Sequence, residues 1–518
     1  MHHIDFGRPA SGTPLALFGT AATQRIEQHH AALLPPHTLM QRAGLAVARL
    51  ARALAPHART VWIACGAGNN GGDGLEAALH LQKQGLHVVV SWLGTPERAP
   101  ADARRSWQRA CDAGVRWSSE APHGMTAADL CIDALLGIGL LPDQNRLPLA
   151  PDSPLLALLR QLRCSPAPGL AVDLPSGLQA DTGQWADGFA PGHGAGSCSA
   201  TVVARHTLSL LTLKPGLFTG AGRDAAGSIW LEDLACSAGA EPPTAWLANP
   251  PPLAARPHAS HKGSQGDVAV VGGEGLQARG MGMTGAALLA ASAALHAGAG
   301  RVMVALLDAG ALPALPQQPE LMLRRCDALA LDHATVVCGC GGGAAVAAVL
   351  PDVLQQSARL VLDADALNAG AADPHLQHLL RERGRQGRPT VLTPHPLEAA
   401  RLLAGTTAAV QADRLAAART LADQYGCTVL LKGSGSVIAA PGRTPLLNPT
   451  GNARLATGGT GDVLAGLVGA RLAAEPAQAG AAFAAAGNAC WEHGAAADRW
   501  PAGRSLTAGA LARALNAG

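Results

Sequence analysis

NPTGNARLATGGTGDVL, residues 448–464, joins a glycine-rich turn to an apolar, Ala- and Gly-rich helical pattern that begins at Asp462. Gly458, Gly459 and Gly461 lack a Cβ atom, so an anion can approach their backbone N–H groups closely. These groups lie at the start of a predicted helix, where the helix dipole favours a phosphate. A carboxylate would be repelled there as a ligand, so Asp462 is better explained as a general base that activates a hydroxyl for phosphoryl transfer. An isolated Gly-Thr-Gly-Asp could instead be a turn whose Asp caps the helix.

The composition is typical of a protein with large buried cores. Of the 518 residues, 48% are hydrophobic and 15% charged, and this length predicts about two to four domains. A net charge of +2 without a basic run gives no support for nucleic-acid binding. The most membrane-like run, Ala287–Ala299, is too short to cross a bilayer, and the first residues lack the layout of a signal peptide. We therefore expect a soluble, cytoplasmic protein without a membrane partner.

Cysteine and lysine are distributed unusually. The 11 cysteines are an odd number without a Cys-x-x-Cys pair, which fits a reduced compartment better than a disulfide framework or a zinc site. Lysines are rare beside arginines, the four being Lys83, Lys214, Lys262 and Lys432. Such a sequence is expected to keep lysine where a compact ammonium group is needed. Lys262 and Lys432 both precede a glycine, although a chance surface position is an equal alternative for each.

Strand and helix patterns alternate from residue 61 to about residue 235. VWIACG, residues 61–66, has the length and apolar character of a buried strand, and GNNGGDG, residues 68–74, leads from it into a helical pattern. Repeated alternation predicts a parallel sheet covered by helices on both faces, with ligands at the carboxyl ends of its strands. Several polar residues follow predicted strands and form a first candidate site: Asn69, Asn70, Asp73, Asp133, Asp173 and Ser176.

A second alternation of strands and helices follows a proline-rich segment. Residues 241–257, EPPTAWLANPPPLAARP, have no periodicity and are predicted to be a linker. The strand patterns after it end with CTVLLKGSGSVIAA, residues 427–440, before the glycine loop and its helix. The economical interpretation is two α/β domains, residues 1–240 and 258–518, joined by the linker.

The first candidate site does not carry an ordinary dinucleotide fingerprint. GNNGGDG is not Gly-x-Gly-x-x-Gly, and no acidic residue lies about twenty positions further on at a strand end. Asn70, Asp133 and Ser176 offer oxygen donors with a single formal charge, which suit a monovalent cation better than Mg²⁺. The alternative is that these side chains only cap turns.

Four motifs in this half together resemble the N-terminal domain of NAD(P)H-hydrate epimerases: LMQRAG, GNNGGDGL, IDALLGIGL and VDLPSGLQADTG. The resemblance covers roughly residues 20–235 and implies a Rossmann-like three-layer α/β/α sandwich with K⁺ at Asn70, Asp133 and Ser176. It also implies that the hydrate is bound by Asn69, Asn70, Gly71, Gly72, Asp73, Gly137, Ile138, Gly139, Leu140, Leu141, Pro142, Asp143 and Asp173. A pocket carboxylate, Asp133 or Asp173, would catalyse loss and return of the C6 oxygen. The sequence departs from the family at Glu76, where an apolar residue is usual.

The second half resembles the ADP-dependent NAD(P)H-hydrate dehydratase, a member of the ribokinase-like α/β/α group. The likeness covers roughly residues 258–515, and its motifs include HKGSQG, LDADALN, TPHPLEAARLL, LKGSGSV and ATGGTGDVLAG. It implies that AMP is bound by Lys432, Gly433, Ser434, Gly435, Ser436 and Gly461. It implies that the hydrated nicotinamide is bound by Ala286, Gly341, His395 and Asp462. One departure is GCGGG at residues 339–343, where the family has G-P-G-L-G.

The reaction that this resemblance implies begins with Asp462 taking the proton of the C6 hydroxyl, which then attacks the terminal phosphorus of ADP. Mg²⁺ is expected near Asp363, Asp365 or Glu398, where it would neutralise the polyphosphate. By itself, His395 would more often be a packed or capping residue. Its position between two prolines favours a substrate contact.

The leading hypothesis is a bifunctional NAD(P)H-hydrate repair enzyme. Its first domain would epimerise the R hydrate of NADH or NADPH, and its second would dehydrate the S hydrate with ADP as co-substrate. The alternative is a ribokinase-like kinase of a vitamin alcohol fused to a ligand-binding module. The many Ala-rich helices favour close helix contacts, and a homo-oligomer is expected.

Overall fold

The computed structural model describes the chain except for residues 5–13, 140–149, 151, 191–203, 253–256, 308–314, 316, 477 and 516–518. The chain divides into two compact units, the first mainly residues 16–245 and the second mainly residues 246–518. Among the described residues, no helix combines the length and the apolar character needed to span a bilayer.

The first unit is built on a nearly all-parallel sheet. Its part of the chain contains the strands β1 (His2–His3), β2 (Leu15–Leu17), β3 (Thr60–Cys65), β4 (His87–Trp92), β5 (Arg116–Trp117), β6 (Leu130–Ala134), β7 (Gly169–Val172), β8 (His206–Leu210) and β9 (Ser228–Glu232). Its helices are α1 (Thr20–Leu33), α2 (Thr38–Leu54), α3 (Asn69–Lys83), α4 (Ala101–Asp112), α5 (Pro154–Cys164) and α6 (Gly222–Ala225). The strand order is β1-β9-β8-β7-β6-β3-β4-β5, and within it only the β1–β9 pair is antiparallel.

Strand β3 shows why helices cover both faces of this sheet. Side chains alternate along a strand, so Val61 and Ile63 pack into the core under α2 and α3. Trp62 and Ala64 point to the other face, where they pack with Leu158 of α5. The predicted three-layer α/β/α sandwich is confirmed for this unit.

The second unit contains a longer mixed sheet. Its strands are β10 (Ala245–Leu247), β11 (Asp267–Gly272), β12 (Arg301–Leu306), β13 (Met322–Leu323), β14 (Thr335–Cys338), β15 (Arg359–Leu362), β16 (Thr390–Leu392), β17 (Thr428–Leu431), β18 (Val437–Ala439) and β19 (Leu446–Leu447). They follow the order β13-β12-β11-β14-β15-β16-β17-β18-β19-β10. Pairing is parallel from β13 to β17, whereas β18 is antiparallel to both of its neighbours.

Alanine-rich helices pack closely on this second sheet. The helices are α7 (Leu276–Arg279), α8 (Thr284–His296), α9 (Val346–Gln356), α10 (Ala364–Ala372), α11 (Pro374–Arg385), α12 (Pro396–Leu402), α13 (Thr407–Ala412), α14 (Arg414–Tyr425), α15 (Thr460–Ala474), α16 (Ala481–Asp498) and α17 (Ala508–Arg513). Helices α8, α15 and α16 share one core with Val268 and Val270 of β11. A Cβ atom at Gly466 of α15 would lie 1.9 Å from the carbonyl oxygen of Ala290 in α8. This close crossing fixes the position of α15, and therefore of its first turn.

The cysteines are mostly reduced thiols. Nine of them are free among the described residues. Cys164, at the end of α5, is disulfide-bonded, which departs at this one residue from the reduced state that the sequence favours.

Candidate active sites

The second unit brings Asp462 to the carboxyl edge of its sheet. Asp462 lies in the first turn of α15. The helix begins directly after Gly459, whose φ of +91° is readily adopted by glycine. One carboxylate oxygen of Asp462, one of Asp363 and the Sγ atom of Cys340 all lie within 4.8 Å of one another. A Cβ atom at residue 461 would lie 3.5 Å from Nζ of Lys432. The glycine turn, the acidic residue and a lysine therefore meet at one place.

Lys432 follows β17 and supplies the positive charge of this site. Its Nζ atom donates a hydrogen bond to Oδ1 of Asp363 at 2.6 Å and lies 4.0 Å from Oε2 of Glu398. Burial lowers the pKa of Lys432, but the two carboxylates raise it by more, and the net pKa is raised. The side chain thus stays an ammonium ion that can attract a phosphate beside Gly461.

Asp462 has the protonation behaviour of a general base. Burial raises the pKa of its carboxyl to about 6, and the neighbouring Asp363 carboxylate adds to the rise. The Cys340 thiol and the Lys432 ammonium oppose it. A base with a pKa near the working pH combines a deprotonated state with real proton affinity.

The glycine-serine segment after Lys432 is held from behind by a buried arginine. Gly433 and Gly435 have φ values of +142° and +64°, which favour glycine. Nη2 of Arg414 donates to the carbonyl oxygens of Leu431 and Lys432, at 3.3 and 3.2 Å. Burial lowers the pKa of Arg414 to about 10. No sequence pattern indicates this role, because Arg414 resembles any arginine at the start of a helix.

His395 is the N-cap of α12. Its Nδ1 atom accepts hydrogen bonds from the backbone N–H groups of Leu397 and Glu398, at 3.1 and 3.2 Å, and Glu398 Oε2 accepts from the N–H of His395 at 2.8 Å. This is a reciprocal capping arrangement. Nε2 lies 3.2 Å from Glu398 Oε1. Burial raises the pKa of Glu398 to about 7. His395 therefore caps α12, as the alternative interpretation of this residue expected. A contact of His395 with the substrate stays a prediction.

The remaining predicted residues of this site lie around the loop after β14. A Cβ atom at Gly341, whose φ is +59°, would lie 2.8 Å from Cβ of Ala286 in α8, so these two residues are adjacent. Asp365 Oδ2 accepts a hydrogen bond from the N–H of Gly343 at 2.8 Å and so holds the loop. Lys432, Ser434 and Ser436 lie on the neighbouring loop between β17 and β18.

The first unit contains a cavity of about 830 Å³ at the carboxyl ends of its strands. The predicted residues that line it are Asn69, Asn70, Asp73, Gly137, Ile138, Gly139 and Asp173. Gly71 has a packing role, because a Cβ atom there would lie 1.9 Å from the carbonyl oxygen of Gly66. At Gly72 it would lie 2.8 Å from the end of Met40. Leu140, Leu141, Pro142 and Asp143 lie outside the described residues.

Asp173 and Lys214 form a buried ion pair in the wall of this cavity. Asp173 follows β7 with a φ of +67°, which is unusual for a residue with a side chain. Its Oδ1 atom accepts hydrogen bonds from Nζ of Lys214 and from the N–H of Leu210. Lys214 is fully buried and also donates to the carbonyl oxygen of Leu210 at 2.7 Å. Sequence reasoning missed Lys214, although the scarcity of lysine was a signal that could have found it.

Asp133 and Ser176 are joined by hydrogen bonds, and neither residue lines the cavity. Ser176 Oγ donates to Asp133 Oδ1 at 2.6 Å, and the N–H of Ser176 donates to Oδ2 at 2.9 Å. Burial raises the pKa of Asp133. Asn70 lies against Gly137, and its Nδ2 atom is buried without a hydrogen-bond partner. Of the two carboxylates considered for acid–base chemistry, Asp173 lines the cavity and Asp133 does not.

Two more carboxyl groups face this cavity. Burial raises the pKa of Asp73 well above its usual range, and the negative charges of Asp173 and Glu27 raise it further. Glu27, on α1, lines the cavity, and burial also raises its pKa. The sequence did not single out Glu27, because its helix reads as an ordinary helical pattern. Asp73, Asp173 and Glu27 are thus three carboxyl groups that line one cavity.

Glu76, the departure in α3, is a fully buried and paired carboxylate. Arg109 Nη2 donates to its Oε1 at 2.8 Å, and His37 Nε2 lies 3.4 Å from its Oε2. Because an unpaired buried charge is costly, these partners explain how the helix tolerates an acidic residue at an otherwise apolar position.

The two units together define an enzyme with two α/β active sites. The first site is a cavity lined by carboxyl groups at the ends of parallel strands. The second is a glycine turn at a helix N-terminus beside a carboxylate and a lysine.

Comparison with known proteins identifies the family. Residues 36–216 match the family described as YjeF-related protein N-terminus, and residues 270–516 match NAD(P)H-hydrate dehydratase. The chain is 35% identical over 484 residues to the bifunctional NAD(P)H-hydrate repair enzyme Nnr of Escherichia coli K12, covering 89% of this chain and 85% of the relative. The chain belongs to the family of bifunctional NAD(P)H-hydrate repair enzymes.

Two further proteins resemble the second half. The chain is 42% identical over 266 residues to the ADP-dependent (S)-NAD(P)H-hydrate dehydratase of Neisseria meningitidis serogroup B, covering 50% of this chain and 85% of the relative. The ADP/ATP-dependent NAD(P)H-hydrate dehydratase from Bacillus subtilis, whose crystal structure was obtained with ATP and Mg²⁺, is 29% identical in sequence to this chain. It covers 51% of this chain and 92% of that one, with a TM-score of 0.41.

Proposed function

We propose that Asp462 is the general base of an ADP-dependent dehydration of the S hydrate of NADH or NADPH. As a member of the repair-enzyme family, the chain carries epimerase and ADP-dependent dehydratase activities. The observation that carries the assignment is the position of Asp462, in the first turn of α15, beside Gly461 and Lys432. Its carboxyl, with a pKa of about 6, is suited to accept a proton near neutral pH.

The proposed reaction proceeds by phosphorylation of the C6 hydroxyl. Asp462 takes the hydroxyl proton, and the oxygen attacks the terminal phosphorus of ADP, which releases AMP. The N–H groups of the glycine turn and the Lys432 ammonium stabilise the charge on the transferred phosphoryl group. The ring nitrogen lone pair then expels phosphate, and loss of a proton from C5 restores the ring double bond. Phosphate leaves far more easily than hydroxide, which is why ADP is needed.

We place AMP and the nicotinamide on opposite sides of the glycine turn. AMP would contact Lys432, Gly461 and the loop of Gly433, Ser434, Gly435 and Ser436, whose shape is supported by the buried Arg414. The hydrated ring would lie against Ala286 and Gly341, with His395 at its edge.

ADP would enter with Mg²⁺, which neutralises polyphosphate charge. Glu398 fits a position near this cation best among the predicted carboxylates, because burial raises its pKa to about 7 and a positive charge would offset that burial. Each of the three carboxylates already accepts a hydrogen bond, Asp363 from Lys432, Asp365 from Gly343 and Glu398 from the N–H of His395.

In the first unit we propose that Asp73 and Asp173 share the acid–base work of epimerisation. Asp73, held protonated by its raised pKa, would protonate the departing C6 hydroxyl. The ring nitrogen would form the iminium ion, and Asp173, paired with Lys214, would deprotonate the water that adds to either face. A carboxyl that stays protonated, close to one paired with an ammonium group, is a recurrent arrangement for such chemistry.

We also propose K⁺ at Asn70, Asp133 and Ser176. The buried Asp133 carboxylate accepts three hydrogen bonds from neutral donors: the Oγ atom of Ser176, the backbone N–H of Ser176 and the backbone N–H of Leu135. Its raised pKa reports burial that a cation would offset. When bound, the ion would supply a fixed positive charge between the strand ends. The domain limits of 1–240 and 258–518, the cytoplasmic location and the homo-oligomeric state stay predictions.

The function is tested by adding the protein to hydrated NADH with and without ADP. We expect dihydronicotinamide absorbance to return only with ADP, with one AMP and one phosphate formed per NADH. With the pure R hydrate, recovery should require the first unit. A stable phosphorylated product from a thiazole or pyrimidine alcohol, without recovery of NADH, would instead identify a vitamin-alcohol kinase.

A further inference from the structure

Arg414, the first residue of α14, is buried against the loop that joins β17 to β18. Its Nη2 atom donates hydrogen bonds to three carbonyl oxygens, those of Leu431 and Lys432 at 3.3 and 3.2 Å and that of Gly435 at 3.5 Å. Its Nη1 atom donates to Oε1 of Gln411 at 2.9 Å. One guanidinium group therefore holds both the beginning and the end of this loop.

These hydrogen bonds fix the direction of the peptide groups in the loop. In a trans peptide the N–H points opposite to the C=O, and the described part of the chain has no cis peptide bond. Since the carbonyl oxygens of Lys432 and Gly435 face Arg414, the N–H groups of Gly433 and Ser436 point away from it. A Cβ atom at Gly433 would lie 2.8 Å from both Nη atoms, so a side chain there would displace the loop. The loop thus presents two N–H donors on its far side, as anion-binding loops do.

The guanidinium also brings a positive charge that forms no ion pair with a described residue. Its four hydrogen bonds go to uncharged oxygen atoms, three of backbone carbonyls and one of a side-chain amide. Burial lowers the pKa of Arg414 to about 10, so the group is still a cation at neutral pH. A buried charge without a counter-charge is costly, and it attracts an anion more strongly than a solvated charge does.

Arg383 shows that such an arginine can also be purely structural. It is likewise buried, and its Nη1 atom donates to the carbonyl oxygens of Leu354 and Ser357 at 2.9 and 2.8 Å. These residues precede β15, at the amino end of the strands, whereas ligands of open α/β sheets bind at the carboxyl ends. What distinguishes Arg414 is its place after the carboxyl end of β17, next to Lys432.

We propose that Arg414 is a positioning residue for ADP. Its planar fork turns the loop so that the N–H groups of Gly433 and Ser436 face the nucleotide, and the diphosphate balances its charge. This inference rests on the proposed AMP site at residues 432–436. Arg414 does not touch the nucleotide in this account; it acts through the loop.

The test compares Arg414→Gln with Arg414→Lys in the full-length chain. Glutamine removes the charge and the fork, so the Kd of ADP, measured by titration calorimetry, should rise about thirtyfold, in the range for a lost hydrogen bond to a charged group. Lysine keeps the charge but offers a compact ammonium in place of the fork, and the Kd should rise about fivefold. At saturating ADP, kcat and KM for the S hydrate should change less than about twofold, because Asp462 and the hydrate site are intact.

Arg383→Gln is the matched control, and it should leave the Kd of ADP within about twofold of the wild type. Thermal unfolding shows which variants are folded, and Arg414→Lys alone decides if Arg414→Gln is not. The proposal is overturned if Arg414→Lys binds ADP within twofold of the wild type. It is also overturned if KM for the S hydrate rises as much as the Kd of ADP, or if Arg383→Gln weakens ADP binding equally.

The wild-type chain separates this inference from the proposed function. If it regenerates NADH with ADP while Arg414→Lys binds ADP normally, only the positioning role of Arg414 is wrong. If the wild type neither binds ADP nor regenerates NADH, the proposed function itself is wrong.

Discussion

Asp462→Asn is expected to lower kcat of the dehydratase about a thousandfold, within the range measured for loss of a general base. Asparagine has the same shape but cannot accept the hydroxyl proton. KM for ADP should stay within about threefold, because the proposed AMP site is the loop after Lys432 and does not include the carboxylate. The measurement is steady-state recovery of NADH from the S hydrate at saturating ADP.

The pH dependence gives this prediction a second readout. The base acts only when deprotonated, and burial raises the pKa of Asp462 to about 6. In the wild type, kcat/KM for the hydrate should therefore fall as pH drops through about 6 and be level above it. The residual activity of Asp462→Asn should lack this limb.

Asp423→Asn is a suitable control, since Asp423 is an exposed residue of α14. Both variants should keep wild-type epimerase activity, which verifies that equal amounts of folded protein are compared. A kcat for Asp462→Asn within tenfold of the wild type would remove Asp462 from the chemistry.

Lys214→Met is expected to lower epimerase activity at least about a hundredfold. Lys214 is the buried ammonium bonded to Asp173. Without it, the buried Asp173 carboxylate loses its counter-charge and the hydrogen bond that holds it in place, and it can no longer serve as the base. The rate of conversion of the R to the S hydrate, corrected for the uncatalysed rate, measures the effect.

Removing one partner of a buried ion pair also destabilises the fold, by about 3 kcal/mol or more. The double variant Asp173→Asn/Lys214→Met removes both charges and should recover most of that stability in thermal unfolding, yet remain inactive as an epimerase. Lys83→Met, at an exposed position of α3, should change neither property. Wild-type epimerase activity in folded Lys214→Met, or in the folded double variant, would contradict the assigned role of the Asp173–Lys214 pair.

The sequence was sufficient for those parts of the sites that are local. The Gly-Thr-Gly-Asp turn places its N–H groups and Asp462 within one helical turn, and the structure has Asp462 in the first turn of α15 as expected. The same holds for the strand–helix alternation and the three-layer architecture of the first unit, which follow from the periodicity of apolar residues.

The parts that depend on which strands are neighbours could not be predicted. Asp173 meets Lys214, 41 residues away, because β7 pairs with β8. Cys340 meets Asp363 because β14 pairs with β15. Residue spacing does not reveal strand order, so it does not show which of these residues meet, even where the scarcity of lysine singles out Lys214. The alternation also gave no reason to prefer Asp173 over Asp133, since the sequence pattern puts both at the ends of predicted buried strands, whereas Asp133 lies inside β6.

The most direct test of phosphoryl transfer to the hydroxyl is to follow its oxygen. The S hydrate is labelled with ¹⁸O at C6 and converted by the wild-type enzyme with unlabelled ADP, and the released phosphate is analysed by mass spectrometry. If Asp462 activates the hydroxyl for attack on phosphorus, one ¹⁸O atom appears in each phosphate. If the label appears in water and the phosphate is unlabelled, the hydroxyl was never phosphorylated and this account of Asp462 is wrong.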